Sequence, residues 1–470
     1  MVAALAVAGC GGTTDAGSGA ADIVPASAPL FVSIDTDPGS AQWRAVEALA
    51  DKFPDKQHAV DSLEKALTDK GLDWDKDVKP ALGPELDVVV LDFEHPNHSV
   101  ALMQPKDKGA FERAIAKGNA KDPSNKLVYE TFHGWTVMAE KQAAIDGFEQ
   151  ASDSAQRTLS DDATFRGALS KAGDGIFRAY VNGGAVMNAA STFLGPDGKG
   201  YLAKLGKLDW LTTSLRAKPD GIAWDTVVHG TPGKQFKGVD VHPSSGGLQK
   251  FVPKDALLYL AFRGTRGMTR GLADNPILMQ PGFEDLGKVF EQLGTILQGK
   301  NALYVRAARG RYPEVTFLAA PGGGVDGAAT LDRVLKRFAN ELGARPRRTS
   351  IAGLPARVIG TGPLSLRYAN VGGKLVVTDF PSGILFTKNG GKALAESDEY
   401  RQAARSSGLP AKPTVMLYVD ARSSVPVIEK LGGSRLPADV ARNLKPLRSA
   451  LEYAVSRSHE FQVTFFLRIQ

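Results

Sequence analysis

Apolar positions recur along this chain in two periods, and the same succession of them is met twice. Val24-Pro25-Ala26-Ser27-Ala28-Pro29 leads into the strand-like run 30–35, and Val252-Pro253-Lys254-Asp255-Ala256-Leu257 leads into 258–263. Residues 40–80 carry a helical period, with Val60, Leu63 and Leu67 on one face and Glu64 and Lys65 turned outward. The later counterpart is a broader stripe of Phe283, Leu286, Val289, Phe290, Leu293, Ile296 and Leu297. Strands are predicted next at 86–93 and 302–308, then at 100–103 and 315–320, stopping at Pro105 and Pro321.

The parallel continues through both halves. Phe111 with Ile115, and Leu331 with Leu335, are i,i+4 pairs on helix faces, each followed by strands: 127–132 and 135–139 in one half, 356–360, 365–370 and 375–379 in the other. Gly372-Gly373 predicts a tight hairpin turn, and the second half gains about one hairpin here. Short helices at Phe165-Arg166-Gly167-Ala168 and Tyr400-Arg401-Gln402-Ala403 precede the strands Ala179-Tyr180-Val181-Asn182 and Leu417-Tyr418-Val419-Asp420. Hairpins around 208–229 and 450–469 close each half, and the turn-rich stretch 231–250 reads as a linker. Strands in hairpins, interrupted by one or two helices, predict an α+β fold. Two tandem homologous lobes are expected, 23–240 and 241–470, each a mainly antiparallel sheet with packed helices. Residues 1–22 are expected to be a signal remnant and flexible tether.

The Val-Pro openings, the paired strands, and the Phe/Tyr-Arg helices leading into Tyr-Val-Asn/Asp strands resemble the bacterial secreted-protein family called domain of unknown function 3352, common in actinobacteria. The resemblance spans roughly residues 23–470. It implies a secreted α+β protein and brings no catalytic residue, because the motifs are packing patterns.

Composition narrows the class. A chain of 470 residues, 43% hydrophobic and 23% charged, suits two or three globular domains. No apolar run reaches the roughly 18–20 residues needed to span a bilayer. The net charge of +6 conceals an asymmetry: residues 1–240 hold 25 Lys and Arg against 33 Asp and Glu, and residues 241–470 hold 32 against 18. Such a split bears on association rather than fold: the two lobes would match each other, or the second would face something anionic. The single cysteine, Cys10, ends the run Val7-Ala8-Gly9-Cys10, which resembles a bacterial lipobox. Lipidation of Cys10 is therefore expected, with an extracytoplasmic protein anchored to the cell membrane and no nucleic-acid partner. No Lys or Arg precedes Arg44, so the charged start of the signal peptide is expected further upstream.

Candidate chemistry is sparse. Gly322-Gly323-Gly324-Val325-Asp326-Gly327 satisfies G-x-G-x-x-G between a strand and a helix, but no acidic strand end follows to hold a ribose, and the matching first-half loop, Pro105 to Gly109, does the same job with one glycine. Asp92, Glu94, His95 and His98 cluster in sequence, and the Pro96-Asn97 pair between them marks a hairpin turn instead of a metal site. No catalytic residue, metal or cofactor is therefore expected. Two surface features stand out. Arg333, Lys336, Arg337, Arg345, Arg347 and Arg348 form a basic run suited to an anionic surface. Ile277, Leu278, Met279 and Phe283 form an apolar lip around two prolines, suited to a ligand or partner. The expected role is non-catalytic binding or structure at the cell envelope, holding a hydrophobic or lipid-like ligand. A hydrolase of an envelope polymer with unidentified carboxylates, and a scaffold for a protein partner, are the alternatives.

Overall fold

The two Val-Pro phrases do the same structural work. Val24 and Val252 are both fully buried. The carbonyl of Val24 accepts from the Leu159 amide, and that of Val252 from the Leu394 amide, each at 2.8 Å. Each phrase thus pins a later turn, itself buried at Leu159 or Leu394, beside the start of a central strand. The computed structural model describes residues 19–94, 98–233, 247–264, 293–308, 310, 312–337, 339, 343–360 and 365–470. Two units emerge from the pattern of contacts. One comprises the chain up to Lys234 with His459–Gln462 and Ile469–Gln470, and the other Gln235–Ser458 with Val463–Arg468.

The first unit contains β1 (Leu30–Asp35), β2 (Glu85–Val90), β3 (Ser99–Met103), β4 (Val128–Phe132), β5 (Trp135–Ala139), β6 (Phe177–Asn182), β7 (Gly206–Lys218) and β8 (Gly221–Pro232). All pair antiparallel in the spatial order β4-β5-β3-β2-β1-β6-β7-β8. Helices cover both faces. Ile145 and Phe148 of the helix Gln142–Asp153, with Phe165 and Leu169 of Ala163–Ala172, pack on Phe31, Val89, Leu102 and Tyr180. Phe111 of the helix Lys108–Lys121 packs with Leu86, Ala101, Met103 and Met138 on the opposite face. This double cover explains why all five residues of β5 are buried.

The second unit contains β9 (Ala256–Gly264), β10 (Gly299–Arg306), β11 (Glu314–Pro321), β12 (Arg347–Ile351), β13 (Leu354–Ile359), β14 (Leu366–Val371), β15 (Lys374–Thr378), β16 (Val415–Val419) and β17 (Leu447–Arg457), with Val463–Arg468 of β18 (Glu460–Ile469). Its antiparallel order is β12-β13-β14-β15-β11-β10-β9-β16-β17. A two-residue turn at 458–459 leads into β18. The order from β14 to β17 repeats that from β4 to β7, with β12 and β13 as the added hairpin. Registers agree as well. Phe31 lies opposite Val89 and Tyr180, and Tyr259 opposite Tyr304 and Tyr418. The fold is α+β.

The structure departs from the sequence reading in particular places. Ala20–Asp22, assigned to the flexible tether, form a turn of 3-10 helix with Ala20 and Ala21 buried in the core. Their small side chains, which suggest a linker by composition, are what lets the backbone lie close against the sheet. The helix Gly183–Leu205, kinked at Gly195, and the helix Ala421–Gly432 add to the elements that the apolar pattern predicts. Gly183-Gly184 and the internal Pro426 weaken the helical signal, while Asn182 and Asp420 cap the helix starts through the amides of Ala185 and Ser423.

Candidate functional site

An apolar cavity of about 90 Å³ lies in the first unit, between the sheet and the helix Lys108–Lys121. Leu86, Ala101 and Met103 of β2 and β3, with Met138 of β5, form its floor. Phe111, Ile115 and Gly118 come from the helix, and Leu72, Val78 and Leu82 from the preceding segment. No titratable side chain lines it. Asn119 is the polar contributor, and its amide is already engaged: Oδ1 accepts from the Leu127 amide and Nδ2 donates to the Leu127 carbonyl, both at 2.8 Å. A water needs two to four polar partners, so a cavity lined this way stays dry.

Two ion pairs clasp the covering segment to the helix. Lys117 Nζ donates to Asp77 Oδ1 at 2.5 Å, and Lys70 Nζ reaches Asp122 Oδ2 at 2.8 Å. Lys117 holds the nearly covered Asp77 carboxyl below its ordinary range. Lys70, aided by Ser124 and Asn125, brings Asp122 down to about 2.

A second concavity in the same unit, about 660 Å³, is polar. Trp210 stacks on His229 with ring centroids 5.2 Å apart. Asp209 is held by Lys207 at 2.6 Å and by His229 Nδ1 at 3.1 Å, while Glu460 meets Lys171 at 3.2 Å. Lys207 keeps the Asp209 carboxyl below its usual range, so it stands as a fixed charge and not as a proton donor.

A row of buried and half-buried polar groups crosses the other face of the sheet from the apolar cavity. Asp87, Ser33, Arg178 and Ser214 are successive register partners on β2, β1, β6 and β7. Arg178 donates to the Ser33 hydroxyl at 3.4 Å. Glu85 and Asp35 are the paired residues two positions along. Neither Asp87 oxygen has a hydrogen bond of ordinary geometry. Burial, reinforced by the Glu85 charge, pushes the Asp87 carboxyl well up, and burial likewise raises Glu85 and Asp35. In the second unit the corresponding register positions hold Ala302, Ala261, Met416 and Tyr453. A pocket of about 240 Å³ opens there beside Tyr259, Tyr400 and Pro410. The fold therefore does not require these charges. Polar residues at alternate positions in both strands, Ser33 and Asp35 in β1 and Glu85 and Asp87 in β2, are the signal in the sequence, and only the strand register sets them opposite one another.

The sequence profile described as "Protein of unknown function (DUF3352)" matches residues 3–281. The chain belongs to the DUF3352 family. For this family member the match takes in both Val-Pro phrases and ends at 281, short of the span 23–470 that the motifs suggested. No curated protein matches the chain. Crystal forms IV, III and I of TP0453 are similar over 48%, 48% and 46% of this chain and 81%, 79% and 74% of theirs. Identities are 15%, 14% and 13%, and TM-scores 0.28, 0.27 and 0.24, too low for the likeness to carry any argument.

The residues singled out by sequence fall apart in this DUF3352 structure. Cys10 and the lip residues Ile277, Leu278, Met279 and Phe283 lie outside the described residues, as does His95. Arg333, Lys336 and Arg337 are exposed on the helix Gly327–Arg337, Arg345 is exposed in the loop before β12, and Arg347 and Arg348 are exposed on that strand. Lys336 is tied to Asp332 at 2.7 Å, and Arg347 donates to the Gly360 carbonyl at 3.3 Å. In the glycine loop, Asp326 Oδ1 accepts from the amides of Ala328 and Ala329 and from Asn370. The chain's own carboxylate thus occupies the helix start that a phosphate would need. A Cβ on Gly327 would meet Leu375 Cβ at 2.9 Å, so that glycine serves helix-to-strand packing. Asp92 Oδ1 caps the Glu94 amide at 2.8 Å, as expected of a turn.

Proposed function

We propose that this DUF3352 member is a bacterial envelope lipoprotein, anchored through Cys10 and of actinobacterial type, whose folded part binds an apolar, lipid-like ligand without catalysis. The observation that carries the binding role is the apolar cavity, lined by no titratable side chain, between β2, β3, β5 and the helix Lys108–Lys121. A site for a polar substrate would need convergent donors and acceptors, and here the one lining amide is already paired. The exposed arginines of the second unit suit anionic headgroups at a membrane surface. Among the described residues no helix is long and apolar enough to cross a membrane. The matching strand orders of the two units support descent from one duplicated lobe, with 23–240 and 241–470 as its copies.

Two other readings have an observation each. The polar cleft offers Asp162, Asp209 and Glu460 to an envelope-polymer hydrolase. Asp209 is lowered by Lys207, Glu460 is paired with Lys171, and Asp162 caps the amides of Thr164 and Phe165, which makes this the weaker reading. Phe193, 90% exposed beside the Gly195 kink, is what a protein scaffold would present. Native mass spectrometry of the protein purified from its own envelope tests the main reading. A co-purifying mass of a lipid is expected. A bare protein mass, together with no uptake of added fatty acid, would overturn it.

A further inference from the structure

We propose that Gly118 admits the terminal segment of a saturated hydrocarbon chain and sets the chain length the cavity accepts; this rests on the apolar-ligand reading above. Glycine inside a helix costs about 1 kcal/mol relative to alanine, so its presence needs a local reason. Backbone conformation is not that reason, because Gly118 lacks a positive φ. Crowding is not the reason either. At Gly83 an added Cβ would come within 2.2 Å of the Gln104 carbonyl oxygen, whereas at Gly118 it would meet nothing within 4 Å. Gly118 is nevertheless buried. A buried position with open space where a side chain would begin is a wall of the cavity, and Gly118 lines it.

The chemistry of the occupant follows from the lining. Leucines, methionines and alanines with no free polar atom exclude water and any headgroup. At about 90 Å³ the space is smaller than the roughly 150 Å³ apolar cavity that takes up benzene, so it fits a chain end and not a whole lipid. Met103 and Met138 adapt their shape to a flexible chain. The chain could arrive as a free fatty acid or as part of a membrane lipid, and both present the same methyl end.

The test compares the full protein with its Gly118→Leu and Gly118→Ala variants. Each is titrated calorimetrically with decanoate and, separately, with didecanoyl phosphatidylcholine, and melting is followed in parallel. The wild type is expected to bind at least one of the two: decanoate marks a free chain as the source, and the phospholipid alone marks a membrane lipid. Gly118→Leu is expected to weaken that binding at least tenfold without lowering the melting temperature. Gly118→Ala is expected to shift the preference from decanoate or its phospholipid toward the octanoyl homologue, and it serves as the test should the leucine variant not fold. Unchanged affinity and chain preference in a folded variant overturn the role of Gly118 while leaving apolar binding intact. Absence of binding by the wild type overturns both.

Discussion

Asp87 is a costly side chain to bury in the first unit. It is 1% exposed, close to Glu85, and has no well-formed hydrogen bond. A carboxyl whose pKa is raised by folding keeps its proton in the native state over a pH range where the unfolded chain has lost it. Stability therefore falls as pH rises above about 4, the unfolded value, toward the raised native one. Asp87→Asn replaces the acid with a neutral group of the same shape and removes that loss. The variant is expected to melt above the wild type at pH 7 and to match it near pH 4, as calorimetry over that range would measure. With about 2–4 °C per kcal/mol for a domain of this size, even a modest gain is readable. A wild-type melting temperature that rises from pH 4 to pH 7 by more than the variant's would contradict the assignment.

The covering segment and the helix Lys108–Lys121 are held together chiefly by apolar packing, with the two ion pairs as clasps. Asp122 and Asp77 are both depressed, so their contribution is complete above about pH 4 and is lost as pH falls through the native values, about 2 for Asp122. Uptake of an apolar dye by the first unit is expected to rise between about pH 4 and pH 2. At neutral pH, Lys117→Met is expected to cost about 1 kcal/mol, since the lysine is half exposed. It should also raise hydrogen exchange in residues 72–82 while leaving β1 and β2 protected. Equal exchange in both proteins would mean that the clasp contributes nothing. The sequence announced Phe111 and Ile115 as core, yet not the cavity beside them. A missing side chain reads in sequence only as a weak helix position.

The two units repeat a strand order and register, so equivalent positions should fail in equivalent ways. Phe165 is fully buried against Phe31 and Tyr180, with ring centroids 5.4 and 5.0 Å away, and Tyr400 lies 5.2 Å from Tyr418. Phe165→Ala and Tyr400→Ala are each expected to cost about 3–5 kcal/mol. Native-state hydrogen exchange should show the loss of protection confined to the mutated unit. Loss spread evenly over both would refute two separate cores.

Local order was readable from the chain alone: strand periods, helix faces, the repeated Val-Pro openings and the hairpin at Gly372-Gly373, whose positive φ values need glycine. Each rests on interactions within a few residues, or on an alternation that one buried face imposes. What lies at long range had to wait for the tertiary structure. Burial of Ala20 and Ala21, the facing of Asp87 with Ser33 and Arg178, and the space beside Gly118 depend on which strands neighbour one another. Charge and volume act through distance in space, and a sequence holds that distance only implicitly.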